Sequence, residues 1–152
     1  MGNAAVDGVK LLEQLILFDI TYDVVPDNYL FELGGIEASW RPDERCISIT
    51  QSTYDRLVRG DGRALYTICH ELGHCELGHQ SPPLLLHRNE PSHKRFEDTE
   101  WQADQFSAEM VMPLPVILQE RIETADGIRR RFGVSMQAAE IRLERLRKEG
   151  CL

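Results

Sequence analysis

Apolar residues between Ala4 and Phe18 fall at Val6, Val9, Leu12, Leu15 and Ile16, a three-to-four spacing that predicts an amphipathic helix packing one face on a core. The period then shortens. Ile20 to Val25, Tyr29 to Leu33, Ile36 to Trp40 and Cys46 to Thr50 are short runs rich in β-branched and aromatic residues. Gly34-Gly35 and Arg41-Pro42-Asp43-Glu44 between them have turn chemistry. These runs predict a small, mainly antiparallel sheet. After Asp61-Gly62 the helical spacing returns: Leu65, Ile68, Cys69, Leu72 and Cys75 share one stripe, and the helix should run to about Leu77, where Gly78 can cap it. Pro82, Pro83 and Pro91 among polar residues predict an irregular loop over 80–95. A second helix is expected from about Phe96 to Met112, stopped by Pro113 and Pro115. A further helix from about Val116 to Glu123 leads through 124–131 to a turn at 132–135. Ser135 is the expected N-cap of a last helix reaching about Lys148. The pattern is α+β in a single domain, with a core over 1–119 that includes the N-terminal packing helix. A C-terminal helical hairpin over 120–152 packs on the same domain.

A chain of 152 residues with 42% hydrophobic and 28% charged residues buries enough surface to fold as one core without staples. The apolar run from Leu11 to Ile20 is broken by Glu13, Gln14 and Asp19, so it offers no membrane span. It also lacks the basic lead-in and cleavage site of a signal peptide, and the start Met-Gly-Asn-Ala-Ala-Val lacks the hydroxyl residue of a myristoylation signal. A cytoplasmic location is the expectation. Cys46, Cys69, Cys75 and Cys151 form no CxxC pair, which suits free, mostly buried thiols in a reducing compartment. Charge is uneven. Residues 1–119 carry 9 basic and 19 acidic side chains, whereas 120–152 carry 8 and 6. The acidic body argues against direct nucleic-acid binding by the chain as a whole.

The stretch CHELGHCELGH, residues 69–79, holds the chemistry. At about 100° and 1.5 Å per residue, His70 and His74 lie about 40° apart and about 6 Å along the axis, so both imidazoles reach one metal ion, and Glu71 flanks the same face. Glu76 and His79 fall about 120° or more from the pair and echo the motif on another face. The longer metzincin pattern would need glycine at 77 and histidine at 80, where the chain has Leu77 and Gln80. Gly73 inside this helix costs about 1 kcal/mol relative to alanine, which points to a close approach there by a substrate or a strand.

A catalytic zinc takes three protein ligands. His79, His87, His93 and the carboxylates of the second helix are available as the third, and Glu100 with Asp104 supplies the most economical set. Glu100 can ligate, and Asp104, one turn on, can accept from the other ring nitrogen of a liganding histidine. Glu71 is then placed to take a proton from water, whose pKa catalytic zinc brings from about 9 to about 7. Tyr66, one turn before His70, and His93 in the loop are candidate oxyanion or substrate contacts.

HELGH at 70–74 and the segment EDTEWQADQFSAEMVMP at 97–113 resemble the ImmA/IrrE family of zinc metallopeptidases, as does RFGVS at 131–135 with Ala138, Ala139, Arg142 and Leu143. The resemblance covers about residues 45–148 and departs from the family pattern at Ser107, where alanine is usual, and at Cys69. It implies a minimal gluzincin-like core with zinc on His70, His74 and Glu100 and with Glu71 as base. It also implies an intracellular endopeptidase whose protein substrate is a helix-turn-helix repressor of a mobile element or stress regulon. Two other functions compete with this one. Arg142, Arg145, Arg147 and Lys148 could make the last helix a DNA-binding element, although Ile141, Leu143, Leu146 and the interleaved Glu140, Glu144 and Glu149 favour a packed amphipathic helix. A catalytically silent zinc-binding interaction protein is the other.

Overall fold

The computed structural model describes residues 6–29, 36–78 and 91–152, with the side chains of 91–97 excepted. Helix α1, Gly8–Gln14, starts at Asp7, whose carboxylate accepts from the Val9 and Lys10 N–H groups at 3.0 and 3.2 Å. A short 3-10 turn, Leu15–Phe18, continues it to Asp19, which holds the left-handed conformation at φ 59°. Leu12 and Leu15 face the core, whereas Ile16, Leu17 and Phe18 are exposed. Three strands follow: β1 Thr21–Val25, β2 Ala38–Arg41 and β3 Cys46–Thr50.

The sheet order is β1-β3-β2. β2 and β3 form the expected antiparallel hairpin around the turn Pro42–Glu44, with Trp40 opposite Ile47. β1 lies on the other side of β3 and runs parallel to it, Thr21 beside Cys46 and Val25 beside Thr50. The antiparallel character therefore belongs to the hairpin, where the short turn dictates it. A parallel neighbour needs a longer connection, which leaves no turn signal in the sequence. Of the run Tyr29 to Leu33, Tyr29 sits in a helical turn and the remainder lies outside the described residues. Every residue of β3 is buried, as befits the central strand.

The chain next enters a helix that the periodicity does not announce, α2, Gln51–Val58. Only Thr53 and Leu57 of its residues are buried, too few for a visible stripe. Its first turn is capped from 25 residues upstream, where Asp27 accepts from the Ser52 N–H at 2.9 Å. Helix α3, Gly62–Glu76, is capped by Asp61 and buries Leu65, Ile68, Cys69 and Leu72 as the stripe predicts. Gly78, at φ 69°, follows its end.

Helix α4, Pro91–Val111, begins five residues before the expected start, so 91–95 are helical rather than loop. Proline read as a loop marker is equally at home at the first helical position, where its missing N–H costs nothing. Residues 79–90 lie outside the description, and with them His79 and His87. Helices α5 Leu114–Gln119, α6 Ala125–Phe132 and α7 Met136–Lys148 complete the chain. Thr124 and Ser135 cap the last two through their hydroxyls. Ile128, Phe132, Leu143 and Leu146 join Ile47, Ile49, Ile68 and Leu72 in one buried cluster.

The most extensive contact between elements is that of α3 with α4. Gly73 explains how close they come: a Cβ there would lie 3.0 Å from Ala103 Cα and 3.2 Å from both the Ala103 carbonyl and Phe106 Cβ. The close approach inferred from this glycine is that of a helix, not a substrate or a strand. Gly73→Val is expected to cost about 1–3 kcal/mol, because its extra carbons meet backbone that cannot swing aside. Chemical denaturation checks this, and an unchanged midpoint would mean that α4 yields freely.

Candidate metal centre

The sequence places two histidines one turn apart on α3, and the fold turns both inward beneath α4. Their rings meet edge to face with centroids 4.8 Å apart at 86°, and the two Nε2 atoms are 3.2 Å from each other. Glu100 on α4 faces the pair. Its Oε2 lies 2.9 Å from His70 Nε2 and its Oε1 3.0 Å from His74 Nε2. One turn further along α4, Asp104 Oδ1 lies 2.8 Å from His70 Nδ1. A carboxylate only accepts, so both ring nitrogens of His70 donate here, Nδ1 to Asp104 and Nε2 to Glu100; with Asp104 keeping the Nδ1 proton, Nε2 is the nitrogen that can give up its proton and offer a lone pair to a metal.

Glu71 sits on the sheet side of the same helix. Its Oε2 accepts from the Trp40 N–H at 2.7 Å, a backbone donor on β2. The donor atoms of His70, Glu71 and His74 lie within 4.8 Å of one another. Glu76 is exposed at the helix end, away from this group.

Burial presses the His70 imidazolium down, but the hydrogen bonds to Asp104 and then Glu100 outweigh it and carry the group up to about 10. Hydrogen bonds from His70 and His74 hold Glu100 down at about 2, against the smaller effect of its burial. Burial raises Glu71, although the Trp40 N–H and the two histidines draw it back. Burial, helped by the nearby Asp104 charge, lifts the Tyr66 phenol to about 12, and burial alone lifts the Cys69 thiol to about 12. Cys69 is thus an inert core residue, as its place in the buried stripe indicates.

The donor set fits zinc. Zinc bonds of about 2.0–2.1 Å at a tetrahedral angle space their donors about 3.3 Å apart. Here the two Nε2 atoms are 3.2 Å apart and Glu100 turns one oxygen to each, Oε2 at 2.9 Å from His70 and Oε1 at 3.0 Å from His74, so a small outward shift of the side chains accommodates the ion. Two imidazoles and one carboxylate form a recurrent catalytic zinc set, and side-chain exposures of 18% for His70 and 35% for Glu100 leave it open on one side.

Of the residues singled out in the sequence, His70, Glu71, His74, Glu100 and Asp104 converge. Tyr66 turns its hydroxyl to the Asp104 backbone carbonyl at 3.2 Å, and the side chain of His93 lies outside the described residues. The Trp40 N–H was missed. No side-chain pattern signals it, because a backbone donor on a strand edge exists at every second residue. Ser107, where the sequence departs from the family pattern, is fully buried and donates to the Tyr66 carbonyl at 2.7 Å.

Comparison with known proteins gives a family and a fold. The model of a peptidase family, described as the IrrE N-terminal-like domain, matches residues 60–144. No curated protein matches. Among solved structures, a Mycobacterium tuberculosis transcriptional regulator is similar over 90% of this chain, with a TM-score of 0.58 and 19% identity. The chain spans 40% of that protein, and at this identity the likeness is one of fold.

Proposed function

From the chain's membership of the IrrE N-terminal-like peptidase family, we propose that it is a zinc-dependent endopeptidase that cleaves a helix-turn-helix transcriptional repressor. The observation that carries this is the convergence of His70, His74 and Glu100 around one point with Glu71 beside it. His70, His74 and Glu100 hold the metal, and Asp104 fixes the His70 tautomer. When bound, zinc supplies a Lewis acid that lowers the pKa of water and polarises a carbonyl. Glu71 has one carboxylate oxygen anchored by the Trp40 N–H, which leaves the other to take the proton from water and pass it to the leaving amine. Burial raises its basicity, which suits that role. The repressor substrate rests on the family resemblance. Its test is co-expression with helix-turn-helix repressors encoded near the gene, followed by intact-mass analysis. A defined pair of fragments that chelator abolishes is the expected result, and intact repressors throughout would remove the substrate assignment.

The zinc reading carries a pH signature. His70, raised to about 10 in the metal-free chain, must give up its proton to bind zinc, so affinity rises with pH. The same raised value stabilises the metal-free fold fully below the unfolded value of about 6.5, and that contribution is lost as pH climbs towards 10. The gap between zinc-loaded and metal-free protein is the zinc-binding free energy, so it widens as pH rises because fewer protons compete for His70. The increase in Tm on adding zinc should therefore be larger at pH 8 than at pH 6, and an equal or smaller increase would contradict a histidine-held ion.

A DNA-binding role for α7 is disfavoured by how its cations are used. Arg142 is buried, donating to the Met112 carbonyl at 3.1 and 3.2 Å and pairing with Glu109 at 2.8 Å. Arg145 lies over the Trp101 ring and pairs with Glu149, Lys148 pairs with Glu144, and Arg147 donates to the Glu123 carbonyl. Among the described residues, no helix is long and apolar enough to cross a membrane.

A further inference from the structure

The two helices that carry the site are also joined by hydrogen bonds whose outer members hold no metal. Ser107 on α4 donates its hydroxyl to the Tyr66 carbonyl on α3 at 2.7 Å, and Tyr66 donates its own hydroxyl to the Asp104 carbonyl on α4 at 3.2 Å. Asp104 in turn accepts from His70 Nδ1 at 2.8 Å. Tyr66 is one helical turn before His70, and Asp104 is one turn after Glu100, so the clasp sits immediately beside the ligands on both helices.

In the α-helical pattern the Tyr66 carbonyl already accepts from the His70 N–H, and the Asp104 carbonyl from that of Ala108. The two hydroxyls use the second lone pair of each carbonyl, a bond available only at one axial offset and one rotation of α4 on α3. Gly73 against Ala103 sets how near the helices lie, whereas the clasp sets their phase. Phase is what a metal site requires, since its donors must be held within about 0.5 Å and 10–20° of their working positions.

We infer that Tyr66 is a positioning residue for the metal centre: its hydroxyl fixes Asp104, which orients the His70 imidazole, and Ser107 completes the clasp from the opposite helix. The inference rests on the zinc reading of the site. It gives Tyr66 a different task from the oxyanion or substrate contact suggested by its place in the sequence, because its hydroxyl is engaged with the α4 backbone.

The test is a set of zinc affinities, measured by competition with a chromophoric chelator, for wild type, Tyr66→Phe, Ser107→Ala, Asp104→Ala and the two combinations with Asp104→Ala. Asp104→Ala is expected to weaken binding about 10- to 100-fold and Tyr66→Phe about tenfold, the range for partners that orient a ligand from outside. Ser107→Ala should lose less. In the Asp104→Ala background each hydroxyl removal should cost less than it does alone, because the part that reaches His70 through the Asp104 carboxylate is already lost and only the part that sets Glu100 through helix phase remains. The visible spectrum of cobalt-loaded Tyr66→Phe should shift from that of cobalt-loaded wild type. Circular dichroism and melting of each metal-free variant run alongside, so a loss of fold is seen directly. Wild-type affinity in Tyr66→Phe, or the same fold-loss with and without Asp104, would overturn the inference and leave the hydroxyl a general structural contact. Unchanged zinc affinity with about a hundredfold loss of turnover would overturn it in favour of a substrate contact. A wild-type chain that takes up no zinc would sink the proposed function itself, and this inference with it.

Discussion

Glu71→Gln is expected to leave the chain folded and able to hold zinc while peptide-bond cleavage falls about a hundred- to ten-thousandfold, the usual worth of general-base assistance. Glutamine keeps the length of the side chain, and its amide oxygen can still accept the Trp40 N–H that holds Glu71 at 2.7 Å. It cannot take a proton from water at neutral pH. In the proposed ligand set of His70, His74 and Glu100 the Glu71 carboxylate is not a ligand, so its charge is not needed to retain the ion. Loss confined to kcat, with zinc content and melting temperature near wild type, is the predicted pattern. Equal turnover by variant and wild type would show that another group accepts the proton. A DNA-binding module would tolerate the change, and a silent zinc scaffold would have no activity to lose.

On the proposed assignment, His74→Ala removes one of three ligands and should cost more in metal affinity than any change outside that set. Loss of an orienting partner typically costs 10- to 100-fold, so the expectation for His74 is a loss beyond about a hundredfold, enough for dialysis against a weak chelator to strip the ion. Glu100→Ala should behave alike, since its two oxygens face both histidines at 2.9 and 3.0 Å. Elemental analysis after dialysis is the measurement. Full zinc content in His74→Ala would mean that the ion sits elsewhere.

These effects could be anticipated because the decisive geometry is local. His70 and His74 share a face through the helical repeat alone, and the spacing of Glu100 and Asp104 puts both on one stripe of α4. The cap at Ser135 and the buried stripe of α3 follow from the same short-range rules. What escaped the sequence depends on partners distant along the chain. Helix α2 draws its cap from Asp27 and buries only two residues, so neither its start nor its face is marked. The parallel β1 pairs with β3 through hydrogen bonds that any residue can make. The glycine at 73 signalled a close approach, but only the structure shows that Ala103 of α4 makes it. The link between Trp40 and Glu71 joins a strand edge to a helix 31 residues later through a backbone donor that has no sequence signature.

Anomalous diffraction at the zinc absorption edge, from crystals of the zinc-loaded chain, decides whether one zinc ion lies among His70, His74 and Glu100. Expected is a single strong peak about 2.0–2.2 Å from both Nε2 atoms and from a Glu100 oxygen, with Asp104 on His70 Nδ1 and Glu71 beside the open position. A peak bound by a histidine in place of Glu100, or no peak among these residues in crystals that contain zinc, would contradict it.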